Sequence, residues 1–375
     1  MPIDYGELVE VLWMDLVPLI DAVGEPGAAL AGGALLGMVF GFLAQCSRFC
    51  TRSAVLDLTQ KRGGAALTTW LAGLAAALLA VQLLIYYGLV EVAETRFFAT
   101  PQSLSGAAVG GLLFGVGMVL ARGCVSRLLV LGASGNLRAV FSIVVIATVG
   151  LATYSGFLVP VRNGVSGIVN TADIGGNELL AHLGLSQSAG VFLGGLAFLA
   201  ALVLAVWTRT PVWRLAGGIG VGATVAAGWF FTYQLSTQAF EPVQAESLSF
   251  IRPLATTSSI WFGSEGGLGM DQGLLLGTVV GAFLASVFTR QFRISTFSEP
   301  GTPSILRYAA GSTLMGFGGI LAVGCTIGAG FTGGSVLAVT SLVAIVSMVV
   351  AASIAGRLVD GLRETRKSAP FVPAE

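Results

Sequence analysis

The stretch Gly115-Val116-Gly117-Met118-Val119-Leu120-Ala121-Arg122-Gly123-Cys124 returns later in the chain as Gly316-Phe317-Gly318-Gly319-Ile320-Leu321-Ala322-Val323-Gly324-Cys325. Aligned on the cysteines, the copies share both spaced glycines, Leu-Ala and Gly-Cys. A little further on, Gly132 and Ser134 match Gly333 and Ser335. Both copies lie in apolar sequence. A thiol duplicated within a glycine frame predicts two related halves of one fold, each bringing a sulfur to a shared site.

The surroundings of the repeat say where that fold lives. The chain is 55% apolar and 10% charged, with a mean hydropathy of +0.87. Soluble domains carry about 25% charged residues, so this chain cannot cover a water-facing surface, and lipid is its solvent. Net charge is zero, and no basic tract points to nucleic acid. The first residues include Asp4, Glu7, Glu10, Asp15 and Asp21. They do not read as a cleavable signal, which begins with basic residues.

A spanning helix needs about 20 mostly apolar residues. The pattern predicts nine crossings, centred on 27–45, 65–90, 104–121, 139–159, 186–207, 215–235, 273–289, 308–322 and 335–356. Residues 5–22 read as an interfacial helix. Four segments are apolar but too short or broken to cross: 48–58, 124–134, 247–262 and 325–335. Non-helical backbone at membrane depth survives only when buried in protein or lining a cavity, so these are expected to be re-entrant. The fold class is therefore an all-α polytopic membrane protein forming one transport domain. Its first half is about 27–160, its second about 212–357, and a helix at 186–208 connects them.

Arginine and lysine placement orients the chain. Arg48, Arg52, Lys61, Arg62, Arg122, Arg127, Arg138, Arg209, Arg214, Arg290, Arg293, Arg357, Arg363, Arg366 and Lys367 fall on one side under strict alternation. Glu91, Glu94, Asp173, Glu178, Glu241 and Glu246 fall on the other. The N-terminus is then outside and the C-terminus inside. The two Gly-Cys turns enter from opposite faces, as in an inverted repeat. A second similarity, Gly37-x-Val39-x-Gly41 with Gly277-x-Val279-x-Gly281, conflicts with inversion, because alternation runs those two helices in the same direction.

The crossings are nearly bare of Asp, Glu and His, the usual carriers of intramembrane protons. His182, the only histidine, sits in a polar loop. No metal site, cofactor or hydrolytic constellation is predicted, and no enzymatic role. The reactive groups are four cysteines: Cys46, Cys50, Cys124 and Cys325. A thiol is small, polarizable and a weak donor, so it suits a soft, sulfur-bearing anion. One with a lowered pKa can instead attack sulfur and form a persulfide. Glycine-rich turns and helix N-termini offer amides to an anion without a buried charge. Gly123 and Gly324 stand before the thiols and Ser126 and Thr326 just after. Arg48, Arg52, Arg122 and Arg127 are topology determinants first and anion gatherers second. Arg252, inside a broken apolar segment, either contacts substrate or snorkels to the surface. Trp13, Trp70, Trp207, Trp213, Trp229 and Trp261 mostly read as an interfacial belt.

Gln45-Cys46-Ser47-Arg48-Phe49-Cys50 leading to Ala54 and Asp57, Ala121-Arg122-Gly123-Cys124, and Ala322-Val323-Gly324-Cys325 together resemble the YeeE/YedE family of sulfur-compound transporters. The resemblance runs from about residue 27 to 356. It implies thiosulfate uptake across a bacterial inner membrane and an hourglass shape with re-entrant loops closing the waist. It also implies a path lined by Cys50, Cys124 and Cys325, with Cys46 an extra thiol, and a small TusA-like cytoplasmic sulfur carrier as partner. Other members are linked to selenium or to other sulfur species. A membrane sulfurtransferase forming a cysteine persulfide, and a neutral-solute channel with structural cysteines, remain alternative readings.

Overall fold

The computed structural model describes residues 15–60, 64–240, 244–261, 267–299 and 301–368, with backbone alone for residues 60, 261 and 360–368. Among these residues, twelve helices build the bundle. They are α1 (Val17–Ser47), α2 (Thr51–Gln60), α3 (Ala65–Tyr86), α4 (Leu104–Leu120), α5 (Val125–Ala133), α6 (Leu137–Tyr154), α7 (Gln187–Trp207), α8 (Val212–Gln238), α9 (Ile251–Trp261), α10 (Met270–Phe288), α11 (Ile305–Leu321) and α12 (Val339–Ser368). A π-helical turn occupies Gly328–Gly333.

Among the described residues, eight helical stretches are long and apolar enough to cross a membrane. The protein is a multi-pass membrane protein. The ninth expected crossing is α11, which at 17 residues falls just short of that length. The four expected re-entrant segments are α2, α5, α9 and the π-turn. Most of the expected interfacial helix (residues 5–14) lies outside the described residues, as do Trp13, Lys61, Arg62, Glu241 and Phe262. The first part of α1 bends at Gly24 (φ 75°), with Pro26 just beyond.

Small residues explain how so many helices approach so closely without polar glue. Gly33, Gly37 and Gly41 of α1 face Gly273, Gly277 and Gly281 of α10. A side chain at any of these would run into the partner's backbone: Gly37 lies over the Leu274 carbonyl and Gly277 over the Ala34 carbonyl. Contacts advance together along both helices, so α1 and α10 run parallel. The Gly37/Gly277 likeness is thus a packing seam between two touching helices, which removes its conflict with inversion. α3 and α8 form a second parallel pair, where Gly73 meets Gly218 and Gly222. α4 and α11 run antiparallel: Gly106 meets Leu321, Gly110 meets Gly318, and Gly117 meets Gly311. The turns at their C-terminal ends therefore leave this pair from opposite sides.

The remaining contacts come in matching sets. α4 packs on α12 and α6 on α11; α2 on α3 and α9 on α10; α5 on α6 and the π-turn on α12; α2 on α12 and α6 on α9. α7 lies against α3. Loops close two faces: backbone bridges join Asn136 to Ser295 on one, and Ser103 to Asn170 on the other. These are named the Asn136 face and the Asn170 face below.

Two tryptophans depart from the expected belt. Trp229 is fully buried and Trp70 nearly so. Trp70 donates to the Thr51 hydroxyl at 3.0 Å and Trp229 to the Thr332 carbonyl at 3.3 Å, so they brace α2 and the π-turn. Trp207 and Trp213 are exposed, as a belt requires.

Candidate functional site: three buried thiols

One local device is built three times. α1, α4 and α11 each end in a single left-handed residue: Arg48 (φ 56°), Arg122 (φ 64°) and Val323 (φ 58°). The next amide reaches back to the helix: Phe49 to Ala44, Gly123 to Met118, and Gly324 to Gly319, at 3.0–3.1 Å. This is a Schellman stop, and a cysteine comes directly after it each time. The left-handed residue precedes the glycine rather than being it. Gly324 is needed for space, since a Cβ there would lie 2.6 Å from the Ala329 amide nitrogen. Gly123 meets only side-chain atoms, of Leu128 and Arg127, at 3.2 Å or more. Val323 is the costly member, because a β-branched residue at positive φ is an outlier.

Each cysteine then stands at the start of a short segment, with the amide three residues on turned toward its sulfur: Ser53 to Cys50, Arg127 to Cys124, and Gly328 to Cys325. At Cys124 this falls outside the geometry of a formed cap, so it is an aimed dipole more than a hydrogen bond. The Phe250 amide, just before α9, also points at Cys325. Four segment starts therefore converge here, and their partial positive charges favour an anion.

The thiols meet. Cys50 and Cys124 are adjacent, and Cys325 is the electrostatic neighbour of Cys124. All four cysteines are free thiols. Cys50, Cys124 and Cys325 are buried, at exposures of 7%, 1% and 0%. The Ser126 hydroxyl lies 3.4 Å from the Cys124 sulfur. Thr326 lies against the same sulfur without hydrogen-bond geometry, and its buried hydroxyl has no other partner. Cys46 is half-buried on α1, with no contact to this group. Phe49, Trp70 and Phe331 stack edge-on beside the neck, at centroid distances of 5.5 and 5.6 Å.

On the Asn170 face two cavities of about 410 and 440 Å³ approach the neck, and both are lined by Ser249 and Arg252. Arg252 pairs with Glu246 (2.6 Å) and Asp271 (3.2 Å), while Arg96 pairs with Glu246 (3.0 Å). Arg96 also donates to the Val323 carbonyl at 3.3 Å, tying this network to the Cys325 turn. Ser249 is 2% exposed, and its hydroxyl has no partner. Sequence reasoning left Arg252 open between a substrate contact and a snorkelling residue, and did not single out Arg96, Glu246 or Ser249. Glu246 and Arg96 looked like ordinary loop charges, and nothing in their spacing joins them.

On the Asn136 face, Arg48 and Arg122 are exposed. Arg122 shares a cavity of about 260 Å³ with Arg52 and Arg138, away from the thiols. Arg127 is instead the basic residue beside them, close in charge to both Cys50 and Cys124.

The family model described as sulphur transport matches residues 46–354. This chain belongs to the sulphur transport family. The family describes transport rather than catalysis. The chain is similar to the thiosulfate transporter TsuA of Spirochaeta thermophila, at 27% identity over 80% of this chain and 90% of the relative. It is also similar to the thiosulfate transporter TsuA of Escherichia coli, at 24% identity over 80% and 86%.

Proposed function

We propose that this family member is a thiosulfate permease of a bacterial inner membrane, passing its substrate through the neck by thiol hydrogen bonds and without covalent chemistry. The observation that carries this reading is the clustering of three free, buried thiols, each at the start of a short segment, between the two faces. Thiosulfate is a doubly negative ion with a soft terminal sulfur. Arg96 and Arg252 draw it into the cavities of the Asn170 face, taken as the outside. Ser249 offers the first buried hydroxyl, then Cys325, then Cys124 and Cys50. Weak S–H donors and aimed amides hold the ion at several sites in succession, which favours release as conduction requires. Gly123, Gly324 and Thr326 shape the turns around it, and Arg122 and Arg48 stand at the exit, taken as cytoplasmic. A TusA-like carrier on that side is the receiver the resemblance implies.

The same reading assigns the chain two inverted halves, α1–α6 and α8–α12, linked through α7. Exchanging α1 with α8, α2 with α9, α3 with α10, α4 with α11, α5 with the π-turn and α6 with α12 turns each packing contact named above, that of α7 on α3 apart, into another of the set. The antiparallel α4–α11 pair then lies at the centre.

The test is uptake of labelled thiosulfate by cells or proteoliposomes carrying Cys50→Ala, Cys124→Ala or Cys325→Ala. Loss in the Cys124 and Cys325 variants is expected, and undiminished uptake in either refutes the relay. Intact mass after substrate exposure should be unchanged. A gain of one sulfur atom would replace passage by persulfide chemistry.

A further inference from the structure

We infer that Arg127 is the charge that draws the anion through the neck, and that Gln45 holds it there while leaving that charge uncompensated. This rests on the thiosulfate reading above and adds a residue that determines its substrate class.

The two sides of the neck differ in charge balance. On the Asn170 face Arg96 and Arg252 are matched by Glu246 and Asp271. Their net charge is zero, so they attract an anion without trapping it. On the other side Arg127 is half-buried, one turn into α5 from Cys124. Among the described residues no carboxylate pairs with it. Its guanidinium donates to the Gln45 side-chain carbonyl at 3.4 Å, and the Gln45 amide donates in turn to Gln291 at 3.2 Å. Gln45 is 4% exposed. The holder is a neutral amide where a glutamate of the same length would have made a salt bridge.

Burying a charge is costly unless something pairs with it. A neutral latch therefore keeps Arg127 in place but does not repay its burial. A doubly negative ion arriving between Cys50 and Cys124 does. The energy of an anion therefore falls from the balanced vestibule to the unbalanced guanidinium, which favours dianions over neutral solutes at the neck.

The experiment compares thiosulfate uptake in the wild type and the Arg127→Gln, Arg127→Lys and Gln45→Glu variants, each first shown monodisperse in detergent. Arg127→Gln should lower uptake efficiency roughly tenfold or more, the scale of a charge-assisted hydrogen bond. Arg127→Lys should keep most of the activity. Gln45→Glu should fall as far as Arg127→Gln although Arg127 is intact, because the new carboxylate neutralises it. Wild-type activity in Arg127→Gln overturns the inference alone, as does wild-type activity in Gln45→Glu. If Gln45→Glu is not monodisperse, the Arg127 pair decides: equal loss with Lys and Gln rejects a charge role. A wild type that carries no thiosulfate would instead refute the function proposed above, and this inference with it.

Discussion

Glu246→Gln isolates the ion network above the neck. Glu246 is 5% exposed and meets two arginines. Its Oε1 lies 3.0 Å from Arg96 but outside hydrogen-bond geometry, so that contact is mainly Coulombic and should be lost with the charge. Removing one partner of a buried ion pair costs about 3–5 kcal/mol. Two features pull the figure down. Arg252 is 29% exposed and keeps Asp271, and Arg96 keeps the Val323 carbonyl. The lower end, about 3 kcal/mol, is therefore expected. At about 2 cal/mol/K of unfolding entropy per residue, this lowers the melting temperature by roughly 4 °C. The assay is thermal unfolding in detergent, monitored by tryptophan fluorescence, with and without thiosulfate. Anion should raise the melting temperature more in the variant than in the wild type, because it replaces the missing negative charge. A variant that melts within about 1 °C of wild type and responds equally to thiosulfate would refute the view that Glu246 balances Arg96 and Arg252.

Single contacts elsewhere in the fold carry further expectations. Gly277→Val should cost about 3 kcal/mol or more by forcing α10 off the α1 backbone, and little folded protein should survive size-exclusion chromatography. Gly195→Val, with open space around it, should behave as wild type in the same assay. Val323→Gly should raise thermal stability by about 1 kcal/mol, since glycine adopts positive φ without strain. A lower melting temperature would mean that the valine side chain contributes more than its backbone costs. Ser249→Ala should raise the KM for thiosulfate several-fold with little change in maximal rate, whereas an unchanged KM would remove Ser249 from the path.

The long helices were legible because each is a run of apolar residues long enough to announce itself, and the four broken segments because glycine and polar residues interrupt such runs. The Gly-Cys duplication was readable because the Schellman turn is local: four consecutive residues and the preceding helix define it. The third copy, at Arg48-Phe49-Cys50, carries no glycine at the matching place. Only the backbone shows that it is the same device. The glycine likeness of α1 and α10 was visible but ambiguous, because a repeat and a packing seam leave the same spacing.

Chain composition alone determined that this protein lives in lipid, that it is helical, and that its reactive groups are thiols. These properties arise from the cost of burying charge and open backbone, which every residue contributes independently of its neighbours in space. Tertiary structure decided which thiols meet, and which arginine stands with them rather than facing solvent. It also decided that Arg96, the Glu246–Arg252 pair and Asp271, from three separate stretches, form one network. Those outcomes depend on pairwise distances across helices that the order of residues does not encode locally, since a charge in a loop looks the same whether it ends beside a carboxylate, an amide or water.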